Sequence, residues 1–350
     1  METQIIQLNQ FNSEVTLTAY LEPCGGKFDY IEKRPAVLIL PGGGYQYCSD
    51  READPVAFSY LKAGYQTFIL RYSVGEKSAW PAPLLDYDQA MDMILEKSDE
   101  WHVYTDKICV VGFSAGGHLA AAAATMGKHR PNAAVLGYAV TGNDVKACNM
   151  SAPDCSKMVD AKTCPCFIFA SRDDGLVPVK NSLDFLEALA EKGIAFESHI
   201  YSYGGHGFST GDSSVQNPLK KGTARLSCWV DDSIGWLKEL FGDFDGNGGM
   251  TKPLIAAHVN GDYDSYLSVD CTVNKLFQVE ESRVILEPLM NSMRVDQSVS
   301  DEDYEEERKQ LEDSIGGMKL AQVLNYVGAP DDAIDKIDQK LRKIKNPEAL

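Results

Sequence analysis

The chain has 350 residues, enough for one large hydrophobic core and one further small domain. Its 44% hydrophobic and 24% charged residues are ordinary for a soluble globular protein. The formal net charge of −18 leaves no basic excess to neutralise phosphates, so we expect no nucleic-acid partner.

The start of the chain, METQIIQLNQFNSEV, carries no basic segment followed by an apolar stretch, so we expect no secretory signal. No apolar run approaches the length of a membrane-spanning helix, so we expect no membrane partner. The nine cysteines form an odd set without paired metal spacing. We interpret them as reduced, mostly buried thiols and expect a cytoplasmic protein.

Short apolar runs alternate with helical patterns over residues 1–241, which we assign to one domain. The predicted strands are Gln4–Leu8, Glu14–Leu21, Ala36–Leu40, Gln66–Tyr72, Ile108–Gly112, Ala133–Ala139, Phe167–Ala170 and Glu197–Tyr201. The predicted helices lie near Asp54–Ala63, Leu85–Lys97, Gly117–Met126, Val179–Lys192 and Ala224–Phe241. The first two strands have the alternation of an antiparallel hairpin. The rest predict an α/β fold, with a mainly parallel sheet covered by helices on both faces.

Residues 242–265 are rich in Gly, Asp and Asn, break this alternation and predict a linker. Residues 266–350 show helical spacing and predict a small helical module of unknown role. Two apolar sets carry that spacing: Val273, Leu276, Phe277, Val284, Leu286, Leu289 and Met290, then Ile334, Ile337, Leu341 and Ile344. The acidic run 301–313 between them is interpreted as a solvated helix face.

The linker begins like a calcium loop, with Asp243, Asp245 and Asn247 at alternate positions and Gly248 after them. Its twelfth position is Leu254, where such a loop requires a bidentate glutamate. We therefore interpret it as a flexible linker. No zinc-type spacing is present either, and we predict neither a metal nor a cofactor.

Ser114 lies at the centre of a G-x-S-x-G pattern, in Gly112-Phe113-Ser114-Ala115-Gly116. A predicted strand precedes it and an Ala-rich helical run follows it. A nucleophile elbow needs this context, in which a tight turn lifts the serine hydroxyl above the sheet. The alternative is a Gly-rich turn that only packs, and the flanking elements favour a nucleophile.

A serine nucleophile needs a base and an acid, which in this topology follow it at strand ends. Of the six histidines, His206 directly follows a predicted strand and has glycines on both sides. We predict it to be the base rather than a cap for the next element. Asp173 and Asp174 follow the Phe167–Ala170 strand, and only one of them can face the histidine. Turn and N-cap chemistry is the alternative role of this pair.

The loop Pro41-Gly42-Gly43-Gly44-Tyr45 follows the Ala36–Leu40 strand, where an oxyanion loop is expected. We predict an oxyanion hole formed by the amide of Ala115 with that of Gly43 or Gly44, a choice that the sequence leaves open. A phosphate-binding loop is the alternative, but the lysine and hydroxyl of a P-loop are absent here.

Five separated motifs together resemble the α/β-hydrolase branch of bacterial acetyl esterases, similar to acetylxylan and feruloyl esterases. They are LILPGGGY (38–45), SDREA (49–53), LRYSVG (70–75), PAPLLD (81–86) and VGFSAGGHLA (111–120). The resemblance covers residues 1–241 and implies the α/β-hydrolase fold and a serine carboxylesterase with a Ser–Asp–His triad. In that family the acid lies four residues before the proline of a D-x-x-V-P stretch, which selects Asp174. The C-terminal module resembles helical segments attached to such esterases in gut-type bacteria, which implies nothing about its role.

The segment 141–163 is shorter than the family leads us to expect, so any cap that it forms over the site is small. Tyr45, Arg51 and Tyr72 have two open roles, lining of the pocket or structural support. We expect hydrolysis of short-chain, above all acetyl, esters of a sugar, oligosaccharide or similar small hydroxylated molecule. The alternatives are an amide-directed hydrolase on the same triad, arylformamidase- or peptidase-like, and a binding protein with an inactive triad. The oligomeric state is not predicted.

Overall fold

The computed structural model describes residues 1–9, 12–217, 224–292 and 314–350. Their contacts divide the chain into two compact units, Met1–Ala257 and His258–Leu350. The boundary lies inside the segment 242–265 that we predicted as a linker.

The first unit contains one sheet of eight strands in the order β1-β2-β4-β3-β5-β6-β7-β8. The strands are β1 Glu2–Asn9, β2 Asn12–Leu21, β3 Arg34–Leu40, β4 Gln66–Arg71, β5 Val103–Phe113, β6 Ala133–Gly137, β7 Cys166–Ser171 and β8 Phe196–Tyr201. The pairs β1–β2 and β2–β4 are antiparallel, and all pairs from β4 to β8 are parallel. The predicted hairpin and mainly parallel sheet are confirmed, and this architecture is the α/β-hydrolase fold.

Helices cover both faces of the sheet, as its nearly all-apolar strands predicted. The helices of this unit are α1 Asp54–Lys62, α2 Ala82–Glu96, α3 Ser114–Met126, α4 Lys180–Glu191 and α5 Cys228–Phe241. One core layer packs α2, α3 and α4 on the sheet, and the other packs α1 and α5 on the opposite face. Because β3 and β5 to β8 are parallel, the loops after their carboxyl ends meet at one edge of the sheet.

Segment 141–163, between β6 and β7, contains two short 3-10 turns, Asn143–Ala147 and Cys155–Met158. Asn149 of this segment donates a hydrogen bond to the carbonyl of Ser78 at 2.8 Å, and Ser151 accepts one from the amide of Trp80 at 3.0 Å. These bonds connect the segment to the residues just before α2.

The calcium-like loop, residues 243–249, is held by hydrogen bonds and an ion pair within the first unit. Asp245 accepts hydrogen bonds from the amides of Asn247 and Gly249, and Asp243 pairs with Lys238 at 2.8 Å. Tyr104 donates to the carbonyl of Gly248 at 3.2 Å. These contacts anchor residues 243–249 on the first unit, which differs from the flexible linker that we expected.

The described part of the second unit is helical. Its helices are α6 Val273–Gln278, α7 Glu280–Ser292, α8 Leu320–Tyr326 and α9 Asp331–Leu341. They share a small core of their own, against which the predicted residues Ile334, Ile337 and Ile344 pack around the buried Leu341. Val284 lies in α7, as the helical spacing predicted, but it is 61% exposed, whereas Leu286 lies on the buried face of that helix. The acidic run 301–313 and the side chains of Leu289 and Met290 lie outside the described residues.

Among the described residues, no helix combines the length and apolar character that crossing a membrane requires. The nine cysteines are free thiols, and five of them are buried.

Candidate active site

Ser114 stands at the turn between β5 and α3, with a left-handed backbone angle of φ = +53°. Non-glycine residues rarely adopt this backbone conformation. It costs about 1–3 kcal/mol and persists only where the surrounding structure enforces it. The flanking glycines permit it. A Cβ atom on Gly112 would lie 2.2 Å from the carbonyl oxygen of Gly116, and one on Gly116 would lie 2.1 Å from that of Leu40. The turn therefore has the geometry of a nucleophile elbow.

His206 lies between Ser114 and Asp174. Its Nε2 atom is 2.9 Å from Ser114 Oγ, and its Nδ1 atom is 2.7 Å from Asp174 Oδ2. The Asp174 side chain is 1% exposed and the His206 side chain 16%. The structure thus brings together the three side chains that the sequence singled out, in the relay order that a serine hydrolase uses.

The carboxylate of Asp174 is held on both oxygens. While Oδ2 contacts His206, Oδ1 accepts hydrogen bonds from the amides of Leu176 and Val177, each at 2.9 Å. Burial acts to raise the pKa of Asp174, but the hydrogen bonds from His206 and these amides outweigh it and hold the pKa below its usual value. Asp174 is therefore an anion at neutral pH.

Asp173 has a different role from its neighbour. Its Oδ1 atom accepts hydrogen bonds from the amides of Gly204 and Gly205, each at 2.9 Å. It thus fixes the loop that carries His206, while Asp174 contacts the imidazole itself. Both carboxylates therefore help to orient His206, one through its loop and the other through its ring.

The glycine loop after β3 lies directly against the serine. A Cβ atom on Gly42 would be 3.0 Å from the Cβ of Ser114. The amide of Gly42 donates to Glu52 Oε2 at 2.8 Å, whereas those of Gly43 and Gly44 donate to no group in the described part of the protein. The amide of Ala115 lies in the first turn of α3, where a helix does not use its N–H groups. Two glycine amides of the loop that lies against Ser114 at Gly42 are thus not used by hydrogen bonds within the described residues.

Of the three residues with two open roles, Tyr45 and Tyr72 are structural. Both are fully buried, and the Tyr72 hydroxyl donates to the carbonyl of Pro41 at 2.6 Å. Arg51 is exposed, and its guanidinium donates to Gln216 Oε1 at 3.1 Å and to the carbonyl of Gly207 at 3.3 Å. Arg51 therefore lies beside the loop of His206.

A match to the family model described as BD-FAE covers residues 29–139, and one to the prolyl oligopeptidase family covers residues 146–224. Among solved structures, MGS-M1, an α/β-hydrolase enzyme from a Medee basin deep-sea metagenome library, is 43% identical with a TM-score of 0.65. The alignment covers 69% of this chain and 98% of that one. The chain belongs to the α/β-hydrolase family.

Two further relatives of this α/β-hydrolase have more specific names. The acetyl ester-xyloside bifunctional hydrolase of Caldicellulosiruptor lactoaceticus is 27% identical with a TM-score of 0.59, over 68% of this chain and 96% of that one. The acetylxylan esterase of Xylanibacter ruminicola is 28% identical over 50% of this chain and 41% of its own length. The chain spans less than half the length of the curated relatives that it matches.

Sequence reasoning assigned no role to three residues behind the site of this hydrolase: Glu52, Tyr138 and His118. Glu52 and His118 lie within two of the five motifs that carry the family resemblance, SDREA and VGFSAGGHLA. A polar residue inside such a motif is the signal that could have pointed to a role in the site. Tyr138 lies inside the predicted apolar strand Ala133–Ala139 and carried no such signal.

His118 is fully buried in α3 and bridges two parts of the site. Its Nδ1 atom accepts from the Tyr45 hydroxyl at 2.7 Å, and its Nε2–H donates to the carbonyl of Pro153 at 2.8 Å. This assignment follows from the hydrogen bonds, because the Pro153 carbonyl can only accept. Burial lowers the pKa of His118 to about 4, so the ring is neutral at neutral pH and joins the glycine loop to segment 141–163.

The low pKa of His118 predicts that acid destabilises this hydrolase. The unfolded histidine binds a proton near pH 6.5, whereas the folded one does so only near pH 4. Stability from this group is therefore present at neutral pH and lost as the pH falls from 6.5 towards 4, by about 3 kcal/mol. Urea unfolding followed by tryptophan fluorescence tests this, because all four tryptophans lie in the first unit.

We expect His118→Asn to lose stability at pH 7.5 and to show a flatter decline between pH 7 and pH 4.5. His102→Asn is the matched control, since His102 is exposed and has a left-handed backbone that asparagine accepts. If the decline is equally steep in the wild type and in His118→Asn, His118 is not its source.

Proposed function

We propose that this α/β-hydrolase is a serine carboxylesterase that removes short acyl groups, above all acetyl, from a sugar, oligosaccharide or similar hydroxylated molecule. The observation that carries the proposal is the unbroken relay Ser114 Oγ, His206 and Asp174, with contacts of 2.9 and 2.7 Å, beside a glycine loop with available amides. The acetyl preference is supported by the names of the two relatives above.

In the proposed mechanism, Ser114 Oγ attacks the ester carbonyl carbon while His206 Nε2 accepts the hydroxyl proton. Asp174 keeps the imidazole in the tautomer with hydrogen on Nδ1 and stabilises the imidazolium that forms. The amides of Ala115 and of Gly43 or Gly44 donate to the oxyanion of the tetrahedral intermediate. The imidazolium then gives its proton to the leaving alcohol, and an acyl-serine remains. His206 next activates a water that releases the acid and restores Ser114.

The second candidate is an amide-directed hydrolase on the same triad. The match of residues 146–224 to the prolyl oligopeptidase family is the observation that favours it. Such an enzyme uses the same nucleophile, base and acid but must protonate a poorer leaving group, an amine. The names of the acetyl esterase relatives favour the ester over the amide.

A substrate panel tests the proposal and separates the candidates. We expect kcat/KM to be highest for p-nitrophenyl acetate and to fall along the butyrate and octanoate esters. We also expect release of acetate from acetylated xylo-oligosaccharides. An aryl formamide and a short peptide p-nitroanilide represent the alternative. Faster turnover of either amide than of every ester would overturn the esterase proposal.

A third possibility, a binding protein with an inactive triad, has a separate test. A fluorophosphonate probe reacts only with an activated serine, so we expect stoichiometric labelling of Ser114, located by peptide mass spectrometry. Labelling within minutes at neutral pH excludes an inactive triad. An unlabelled but folded protein would support the binding reading.

A further inference from the structure

Glu52 lies just before α1 and forms a hydrogen bond with the glycine loop, but the proposed mechanism does not use its buried carboxyl group. It is 4% exposed, and no lysine, arginine or histidine forms an ion pair with it among the described residues. Burying a charge without an ion pair is costly unless hydrogen bonds compensate. The burial of the Glu52 carboxyl group therefore depends on its hydrogen bonds.

Each carboxyl oxygen of Glu52 accepts one hydrogen bond, one from the glycine loop and one from the residue that follows β6. Oε2 accepts from the amide of Gly42 at 2.8 Å, and Gly42 lies against Ser114 in the glycine loop. Oε1 accepts from the hydroxyl of Tyr138 at 2.6 Å. The ring of Tyr138 packs edge-on against that of His206, with 5.0 Å between centroids. The Glu52 carboxyl group thus connects the glycine loop to Tyr138, whose ring packs against His206.

The Tyr138 hydroxyl extends this connection to the loop after His206. It accepts a hydrogen bond from the amide of Ser209 at 3.0 Å, and the Ser209 hydroxyl donates to the carbonyl of Arg51, next to Glu52. Three hydrogen bonds and the peptide bond between Arg51 and Glu52 therefore close the circuit Glu52–Tyr138–Ser209–Arg51.

Backbone strain is concentrated on the same residues. Tyr138 has φ = +35° and Ser209 φ = +51°, beside the φ = +53° of Ser114. Non-glycine residues hold such conformations only where surrounding contacts over-determine them. The Glu52 circuit supplies contacts of that kind to two of these residues.

We propose that Glu52 is a positioning residue for this reaction, holding the oxyanion loop and the ring that supports His206 in register with each other. The inference rests on the proposed function. Gly42 bound to Glu52 fixes the direction in which the amides of Gly43 and Gly44 point. Tyr138 bound to Glu52 fixes one face of the imidazole.

The Glu52 carboxyl has other polar groups around it besides its two hydrogen-bond donors. The titratable and charged groups that face Glu52 are Tyr72, Tyr138, His206 and Arg51. Burial has the largest effect and raises the pKa of Glu52 above its usual value, while the hydrogen bonds from Tyr138 and Gly42 act in the opposite direction. These two hydrogen bonds therefore compensate in part for the burial of the carboxyl.

The test compares Glu52→Gln and Tyr138→Phe with the wild type on p-nitrophenyl acetate. We expect kcat of Glu52→Gln to fall by roughly ten- to a hundredfold, the range for a misplaced oxyanion donor, with KM changed by less than about threefold. Tyr138→Phe should lower kcat by roughly tenfold, also with KM changed by less than about threefold.

Tyr60→Phe is the matched control for lost buried hydroxyls. Tyr60 is fully buried in α1, and its hydroxyl bonds to Ser233 Oγ at 2.8 Å, away from the triad. It should lose stability as Tyr138→Phe does, but keep wild-type kcat within about twofold. Should Glu52→Gln fail to fold, Tyr138→Phe against Tyr60→Phe still decides whether the circuit acts on catalysis.

If the wild type is active and neither Glu52→Gln nor Tyr138→Phe lowers kcat, this inference alone is overturned. An equal loss of kcat in Tyr60→Phe overturns it as well, since the effect is then one of stability. A wild type that is inactive on every ester of the panel instead overturns the proposed function.

Discussion

Replacing Ser114 with alanine is expected to lower kcat/KM for p-nitrophenyl acetate by about 10⁴–10⁶-fold, because the attacking oxygen is removed. The residual rate comes from the oxyanion amides and from substrate binding. The substitution also removes the hydroxyl that we expect a fluorophosphonate probe to label. Steady-state hydrolysis and probe labelling of the purified variant measure both losses.

Ser59→Ala is the control for the Ser114 variant. Ser59 lies in α1, where its hydroxyl donates to the carbonyl of Pro55 at 3.1 Å, outside the site. Wild-type hydrolysis and labelling are expected for it. Activity of Ser114→Ala close to that of the wild type would refute the proposed mechanism.

Asp174→Asn is expected to lower kcat by about 10⁴-fold, although it changes only one atom. The amides of Leu176 and Val177 donate to Oδ1, so the asparagine oxygen takes that position and its NH₂ group faces His206 Nδ1. Nδ1 must then accept a hydrogen bond, and the proton moves to Nε2. A ring protonated on Nε2 cannot take the proton of Ser114, so the variant has the wrong tautomer.

The adjacent Asp173→Asn separates this effect from a general loss of charge. Asp173 accepts from the amides of Gly204 and Gly205, and an asparagine oxygen can still accept both bonds. We expect kcat to fall by less than roughly tenfold, since the loop of His206 is held less firmly but the tautomer is kept. Measured kcat values and thermal midpoints of both variants decide the matter, and equal losses would contradict the roles given to the two carboxylates.

The sequence predicted the strands and helices of the first unit because their signal is local. Nearly all-apolar runs such as Ala36–Leu40 report burial on both faces, and Gly112 and Gly116 report a close approach of backbones. Chain order and strand ends then pointed to Ser114, His206 and a carboxylate at one edge of the sheet. The choice of Asp174 over Asp173 came from the family resemblance.

The sequence could not predict contacts between residues far apart in the chain. Glu52 and Tyr138 are 86 residues apart, and nothing local shows that their side chains meet. His118 and Pro153 meet across 35 residues in the same way. Val284 fits the helical spacing of its neighbours, yet the packing of α7 leaves it 61% exposed.

The sequence by itself determined the order of elements, the elbow at Ser114 and the candidates for base, acid and oxyanion loop, because hydrophobic period and glycine placement are properties of neighbouring residues. Only the tertiary structure decided which atoms meet: the separate tasks of Asp173 and Asp174, the burial of Tyr45 and Tyr72, and the circuit through Glu52. Those outcomes depend on packing and on the pairing of buried polar groups, which form only when distant segments fold together.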